Sequence, residues 1–155
     1  MKKAMLFLAV FGLVGSLLAA DQMGTWKLNI AKSKLPPNMA NLKETIMVFR
    51  EIDANTMEGS ATQTAQDGKT TTGKWTTPKS GGIQTYLEGA LPKGLSSIAA
   101  VIDPDTIYQI YLQDGKQVGL MRIDFGKDGK TFTITGKGTD AQGKPVEYLR
   151  LFEKQ

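Results

Sequence analysis

The feature that most constrains the fold is an alternation of apolar and polar residues with a period of two. Near the start of the pattern, Trp26, Leu28 and Ile30 are apolar and the residues between them are polar. A β-strand turns successive side chains to opposite faces, so this pattern predicts a strand with one buried face. Similar segments recur about every eight to twelve residues between turn residues, which is typical of an all-β sandwich or barrel.

The alternation predicts ten strands, or eight to nine if neighbouring segments merge. The segments are residues 25–30, 43–53, 55–66, 69–78, 83–89, 98–103, 106–113, 117–125, 131–139 and 145–154. Residues 31–42 are expected to form a loop, because Pro36 and Pro37 fit neither a helix interior nor a central strand. Residues 78–82 and 90–97 are also expected to be irregular.

Asp-Gly-Lys occurs three times, at residues 67–69, 114–116 and 128–130, and residues 142–144 are a near-copy, Gln-Gly-Lys. The segments lack the alternating acidic ligands and distal Glu of a calcium loop. Asp-Gly between alternating segments is instead a strong hairpin signal, because Gly accepts a positive φ angle. The repeats therefore predict a meander, and hence an antiparallel up-and-down barrel.

The N-terminal segment, residues 1–20, has the order of a secretory signal peptide. Lys2 and Lys3 precede an apolar run that ends in small residues, so cleavage is expected after Ala20. An uncleaved anchor is the alternative, but the run is short for a span and contains Gly12 and Gly15. The expectation is a periplasmic or secreted protein with one barrel domain, residues 21–155, and no further membrane span.

Charge and composition exclude several function classes. The chain has 19 basic and 15 acidic residues, and Lys2 and Lys3 lie in the predicted signal peptide, which leaves a net charge of +2. That weak, dispersed charge does not favour nucleic-acid binding. With neither Cys nor His in the chain, the usual thiolate, zinc and Ser-His-Asp chemistries are absent. No catalytic residue, metal site or cofactor is expected, and the protein is not expected to be an enzyme.

The Gly24-x-Trp26 motif on the first strand resembles the lipocalins and the wider calycin group. In those families the glycine allows close packing, the tryptophan closes the barrel base, and a late arginine lies across the indole. The matching arginine here is Arg150, in the last predicted strand. The resemblance therefore implies that Gly24, Trp26 and Arg150 form a structural motif, with cation–π stacking worth roughly 0.5–2 kcal/mol.

The two ends of the chain, "GTWKL" and "LRLFEK", are also similar to the intracellular fatty-acid-binding proteins. In that family a late Arg-x-Tyr holds the fatty-acid headgroup, which implies a carboxylate-binding role for Arg150. Phe152 stands where that tyrosine would be, and Pro36-Pro37 falls where the family has its helical lid. Most of the chain after residue 20 also resembles small secreted bacterial proteins of lipocalin-like appearance, a resemblance that implies no activity.

The expected function is binding of a small hydrophobic or amphipathic, fatty-acid-like ligand inside the barrel. Arg150, with Arg122 as second choice, would neutralise a carboxylate, and Tyr148, Phe152 and Met121 would line the apolar part. For Arg122, a salt bridge with Asp124 is the competing interpretation. The alternative function is a filled barrel that binds or inhibits another protein through loops 35–41 and 90–96, since loops on a rigid scaffold often carry function.

Overall fold

The computed structural model describes residues 22–89, 91–139 and 144–155, and these form one antiparallel β-sheet of eleven strands. The predicted signal peptide, residues 1–20, and residues 142–143 of the fourth predicted turn lie outside this description. No helix within the described ranges is long and apolar enough to cross a membrane. The strands are β1 (Gly24–Leu28), β2 (Leu42–Asp53), β3 (Thr56–Ala65), β4 (Thr70–Pro78), β5 (Gly82–Ile83), β6 (Thr85–Glu88), β7 (Leu95–Asp103), β8 (Thr106–Gln113), β9 (Lys116–Phe125), β10 (Thr131–Thr139) and β11 (Pro145–Lys154).

The sheet curls into a nearly closed barrel. Its spatial order is β5-β7-β8-β9-β10-β11-β1-β2-β3-β4-β6. The first and last strands of that order, β5 and β6, follow one another in the chain and are separated by Gln84. One extended segment, residues 82–88, therefore pairs with β7 through its first part and with β4 through its second part. We call this closing line the seam.

The up-and-down barrel predicted from the alternation is confirmed, although several strand boundaries differ. The first strand ends at Leu28, and Ile30, expected on its buried face, begins a 3-10 turn and is 37% exposed. The fifth predicted strand, residues 83–89, is divided at Gln84 because its two parts pair with opposite edges of the sheet. Residues 95–97 were expected to be irregular but belong to β7, where Ser97 pairs with Tyr111 of β8. The small polar side chains of Ser96 and Ser97 weaken the alternation, although the backbone pairing continues through them.

The Asp-Gly-Lys segments form hairpin turns, as predicted. Asp67 and Asp128 each accept a hydrogen bond from the backbone N–H two residues later, at 3.0 and 2.9 Å. In the turn at residues 114–116, Asp114 and Gly115 have φ angles of 50° and 79°. Paired positive φ angles suit the tight turn whose twist matches the flanking strands.

One end of the barrel is filled by aromatic side chains. Trp26 and Phe152 are fully buried, and Phe132 is 1% exposed. The Trp26 and Phe132 rings meet edge to face at 5.0 Å, and Phe132 stacks on Phe152 at 4.6 Å. Phe125 and Phe49 extend the cluster, with centroids 5.2–6.4 Å from those of their aromatic neighbours. Edge-to-face and stacked ring pairs add stabilisation beyond that of the buried apolar area. This end of the barrel is therefore a closely packed floor.

The opposite end carries the long connections. Residues 29–41, between β1 and β2, contain two short 3-10 turns, at Ile30–Lys32 and Pro37–Met39. Backbone hydrogen bonds tie Lys34 to Leu149 of β11 in both directions, at 2.8 and 2.9 Å. Leu35 and Met39 pack against the core. The segment therefore covers part of this end and does not project from it.

Candidate functional site

The barrel encloses a cavity of about 260 Å³. Most of its wall is apolar, and a smaller group of polar side chains faces into it. The apolar lining residues are Met47, Phe49, Met57, Ala61, Trp75, Leu91, Ala99, Val101, Ile107, Met121, Ile123, Phe125, Phe132 and Ile134. The polar lining residues are Thr45, Gln63, Thr77, Gln84, Tyr86, Gln109, Tyr111 and Arg150. An apolar cavity with a few inward polar groups is the usual composition of a small-molecule site.

Arg150 is the charged side chain in this lining. It lies on β11 opposite Ile134 of β10, on the inward face that also carries Phe152. One guanidinium nitrogen, Nη2, donates to the Met121 sulfur at 3.2 Å, a weak acceptor. Its Nε is buried and has no hydrogen-bond partner. The guanidinium therefore retains unused donor capacity inside the barrel.

The surroundings of Arg150 contain tyrosines where an acidic partner would be expected. Burial lowers the pKa of Arg150, and the neighbouring Tyr148 and Tyr111 act in the opposite direction. Within the described ranges, no Asp or Glu forms a salt bridge with it or lines the cavity. A buried charge is costly unless it is paired, so a carboxylate brought by a ligand would complete this site.

Tyr148 positions Arg150 from below. The guanidinium carbon lies 5.1 Å from the centroid of the Tyr148 ring, within cation–π range. The ring lies against the backbone of β10 at Gly136, which is its partner in the β10–β11 register. A Cβ atom at Gly136 would be 2.2 Å from the ring carbon Cζ, so glycine is required for this packing. Burial raises the pKa of Tyr148, and Arg150 partly offsets that effect.

A network of amide and hydroxyl groups crosses the seam beside the cavity. Gln84 Nε2 donates to Thr77 of β4 at 2.9 Å. Gln84 Oε1 accepts from Ser97 of β7 at 2.6 Å and from Gln109 of β8 at 2.7 Å. The Gln84 backbone N–H also donates to the Ser97 carbonyl, at 2.9 Å. One side chain thus joins both edges of the sheet where the backbone pairing changes partner.

The network continues toward Arg150 through two tyrosines. Gln109 Nε2 lies 3.0 Å from the Tyr111 hydroxyl. Burial raises the pKa of Tyr111, with a further contribution from Tyr86. Burial also raises the pKa of Tyr86, and the neighbouring Ser97, Tyr111 and Gln109 side chains partly offset that effect. Both phenols are therefore neutral near pH 7 and can donate or accept hydrogen bonds.

Of the five predicted ligand-binding residues, the structure brings Arg150 and Met121 to the cavity. Phe152 is fully buried behind Phe132, so it supports the floor and does not line the cavity. Tyr148 lies under Arg150 and outside the lining. The expected lining role is thus replaced by a supporting role for both aromatic residues.

Arg122 lies on the outer surface of β9, because its neighbours in the strand, Met121 and Ile123, face inward. Its Nε donates to both carboxylate oxygens of Asp124, at 2.8 and 2.9 Å. Its guanidinium carbon is 5.9 Å from the Tyr108 ring centroid. The salt-bridge interpretation fits this arrangement, and the second-choice role of Arg122 inside the barrel does not.

The cation over Trp26 is Lys154, which corrects the expected stack of Arg150 on the indole. Lys154 Nζ is 5.1 Å from the ring centroid. The β1–β11 register sets Lys154 directly opposite Trp26 and Phe152 opposite Leu28, so Arg150 lies farther along the strand. Gly24 has a φ angle of 120°, and a Cβ there would be 3.2 Å from Lys154 Cε. The glycine therefore makes room for the lysine.

Several cavity residues were missed by the sequence interpretation, including Thr45, Gln84 and Gln109. Gln109 follows Ile107 at an inward position of a clear alternation, which was a usable signal of a polar group facing the interior. Gln84 gave no such signal, because its role depends on closure of the sheet by residues distant in sequence.

The two loops predicted as a protein-binding surface contribute to the barrel interior. Leu35 and Met39 of loop 35–41 pack against the core, and Leu91 of loop 90–96 lines the cavity. Among the described residues there is no group of three or more Asp and Glu side chains that could hold a metal ion.

No family model matches this sequence, and no curated protein matches it in a sequence search. Solved structures with a similar fold include a point mutant of the fluorescent protein UnaG, with a TM-score of 0.60 and 15% identity over 87% of this chain and 96% of that chain. Wild-type UnaG aligns with a TM-score of 0.57 and 15% identity, over 86% of this chain and 96% of that chain. Together with the strand order, these likenesses show that the chain has the calycin-type barrel fold expected from its sequence.

Proposed function

We propose that the protein binds a small amphipathic anion, with its carboxylate on Arg150 and its apolar part in the barrel. The observation that carries this proposal is the guanidinium that lines an apolar cavity with its Nε unpaired and without an acidic partner in the described chain. A charge-assisted hydrogen bond to a carboxylate would satisfy that donor.

The cavity volume supports a ligand shorter than a common long-chain fatty acid. At about 260 Å³ it lies just below the lower end of typical ligand pockets, which is roughly 300 Å³. Taking roughly 30 Å³ for a water-sized group, it holds about nine heavy atoms. Octanoate, a carboxylate with a short alkyl chain, is a suitable probe of this size.

Calorimetric titration with octanoate tests the proposal directly. We expect a Kd on the order of 10–100 µM, since a ligand of this size gains roughly 0.6 kcal/mol per heavy atom. Octanol, which lacks the charge, should bind at least tenfold more weakly, and octylammonium should not bind. Equal affinity for octanoate and octanol would remove the proposed role of Arg150, and the absence of acid binding would contradict the function itself.

Two substitutions of Arg150 and one surface control separate the charge from general damage. Arg150→Met keeps a long, flexible side chain but removes the charge and the N–H donors, and should weaken octanoate binding at least tenfold because a charged hydrogen bond is worth roughly 1.5–3 kcal/mol. Arg150→Lys keeps the charge and should retain part of the affinity. The matched control is Arg122→Met on the outer surface, which should change the Kd less than twofold.

Binding without catalysis is the proposed activity. The titratable groups of the cavity lining in the described chain are tyrosines, whose pKa values burial raises, and Arg150. None of these supplies a general base near neutral pH, where proton transfer is most often carried by His or a shifted carboxylate. This supports a carrier or sensor of the ligand.

Export is part of the proposal, supported by the signal-peptide pattern of residues 1–20. Expression of the full chain in a bacterium, followed by fractionation and intact mass measurement, tests it. We expect protein that begins at Asp21 in the periplasm or medium. Cytoplasmic protein that retains Met1 would contradict export. That result would not affect the ligand-binding proposal, which the calorimetric titrations test separately.

A further inference from the structure

A second unsatisfied polar group faces the same cavity. Thr45 on β2 is 2% exposed, lines the cavity, and has a buried hydroxyl without a hydrogen-bond partner. Leaving a buried hydroxyl unpaired costs about 1–3 kcal/mol, and most buried polar groups in folded proteins are therefore paired. Gln63 of β3 is directly opposite Thr45 in the strand register and lines the cavity beside it.

This side of the cavity differs from the seam. There, Thr77, Gln84 and Gln109 satisfy one another by hydrogen bonds of 2.7–2.9 Å. Those groups form a closed structural network, whereas the Thr45 hydroxyl stays available to anything that enters the cavity. Within the described ranges, two buried polar groups without a hydrogen-bond partner thus face the cavity, Arg150 Nε and the Thr45 hydroxyl.

The strand register places these two groups on neighbouring parts of the wall. Thr45 and Arg150 lie on β2 and β11, which both pair with β1. Extending the β1 register sets Thr45 level with Leu28 and Arg150 two residues farther along. With ordinary strand spacing and rise, their Cα atoms are roughly 12 Å apart. Both side chains line the same cavity, so one ligand of that span can reach both.

We infer that the ligand is a bifunctional acid, with a carboxylate for Arg150 and a hydroxyl or similar hydrogen-bonding group for Thr45, joined by a short apolar spacer. The inference rests on the proposed function and narrows its ligand class from simple acids to hydroxylated ones. A plain alkyl acid would satisfy Arg150 and leave the Thr45 hydroxyl unpaired.

The experiment compares octanoate with ω-hydroxyoctanoate by calorimetric titration of the natural chain, Thr45→Val and Thr45→Ser. Valine has nearly the same shape as threonine without the hydroxyl, and serine keeps the hydroxyl. In the natural chain the hydroxy acid should bind at least as tightly as octanoate, although its hydroxyl must lose its water on entry. Thr45→Val should weaken the hydroxy acid roughly fivefold, in line with one net hydrogen bond, and change octanoate less than twofold. Thr45→Ser should retain the preference.

Stability of the empty protein supplies a second readout. Thr45→Val removes an unpaired hydroxyl, so its thermal midpoint should equal or exceed that of the natural chain. A lower midpoint with unchanged ligand preference would show a structural role for the hydroxyl and overturn the inference.

The outcomes also separate this inference from the proposal on which it rests. Two results would contradict the inference of a bifunctional ligand and would leave the proposed acid site at Arg150 intact. One is that octanoate binds through Arg150 while the hydroxy acid binds much more weakly, and the other is that Thr45→Val affects both acids equally. If neither acid binds, both proposals are overturned.

Discussion

At the scale of single residues, the two inward cations of β11 differ in their surroundings. Lys154 lies over Trp26 at the aromatic floor, where cation–π contact holds it. Arg150 lies over Tyr148 at the cavity wall, with its Nε unpaired. One strand therefore contributes a structural cation and a candidate binding cation, four residues apart.

The first residue-scale prediction concerns the Trp26 contact. A double-mutant cycle with Trp26→Phe and Lys154→Met should give a coupling energy of about 0.5–1 kcal/mol, as expected for a cation over an indole ring. The same cycle with Arg150→Met in place of Lys154→Met should give a value near zero. Urea denaturation supplies the free energies. A larger coupling for Arg150 than for Lys154 would contradict the register described above.

A second prediction concerns the packing of Tyr148 on Gly136. Gly136→Ala would place a Cβ 2.2 Å from the Tyr148 ring, so the ring must move from beneath Arg150. We expect a loss of about 1–3 kcal/mol in the free energy of unfolding, the usual cost of overpacking. Gly73→Ala is the matched control, because nothing lies within 4 Å of its added Cβ. Equal effects of the two substitutions would refute the packing argument.

The sequence allowed the shared face of Arg150 and Phe152 to be predicted but not their partners. Alternation assigned Arg150 and Phe152 to one face, and the structure places both inside the barrel. Which cation meets Trp26 depends on the register between β1 and β11, which are joined by no turn that could fix it. The resemblance indicated the type of contact and assigned it to Arg150, whereas the register assigns it to Lys154.

At the scale of strands, the seam is the least regular part of the barrel. β5 contributes two residues to one edge and β6 four residues to the other, with Gln84 between them. Side-chain hydrogen bonds of Gln84 replace part of the backbone pairing that a continuous strand would supply. Closure of the barrel therefore depends on this one amide as well as on the two short strand pairs.

Gln84→Met tests this dependence. The substitution keeps the side-chain length but leaves Ser97, Thr77 and Gln109 without their shared partner. We expect a loss of about 2 kcal/mol or more in the free energy of unfolding, and faster amide hydrogen exchange across residues 82–88. Gln113→Met serves as the control, since Gln113 bonds only to exposed loop groups in the described chain. Unchanged exchange at the seam would contradict the role of Gln84.

The division of the fifth strand marks the limit of prediction at this scale. Residues 83–88 are extended, as predicted, but Gln84 and Tyr86 line the cavity while Ile83 and Leu87 are exposed. The break at Gln84 arises because β7 pairs with the first part of the segment and β4 pairs with the second part. Neither pairing can be predicted from the sequence of the segment itself.

At the scale of the whole molecule, we predict a broad pH plateau of stability. Hydrogen bonds from Asn55 and Lys32 hold the pKa values of Asp53 and Glu153 below their ordinary values of 3.8 and 4.5. Such groups bind protons more readily in the unfolded chain, so stability is lost as the pH falls through this range. Burial raises the pKa of Tyr86 and Tyr148 above 10.0, so stability is also lost as the pH rises beyond that value.

Urea denaturation at a series of pH values measures this profile. The chain contains no histidine, so the free energy of unfolding should be nearly constant between about pH 6 and 9. It should fall below about pH 4.5 and above about pH 10. A marked transition between pH 6 and 8 would contradict this prediction.

The position of the seam also has a consequence for dissecting the molecule. Loop 89–94 separates two meanders. The first contains β1 to β4 and β6, and the second contains β7 to β11, with the short β5 paired to β7. The two meanders meet along the β1–β11 ladder and along the seam. Thr45 belongs to the first meander and Arg150 to the second, so the complete cavity exists where both are joined. A chain cut in this loop is therefore expected to behave as a split binding protein. Neither fragment should bind the ligand alone, and the pocket should form when the two fragments associate.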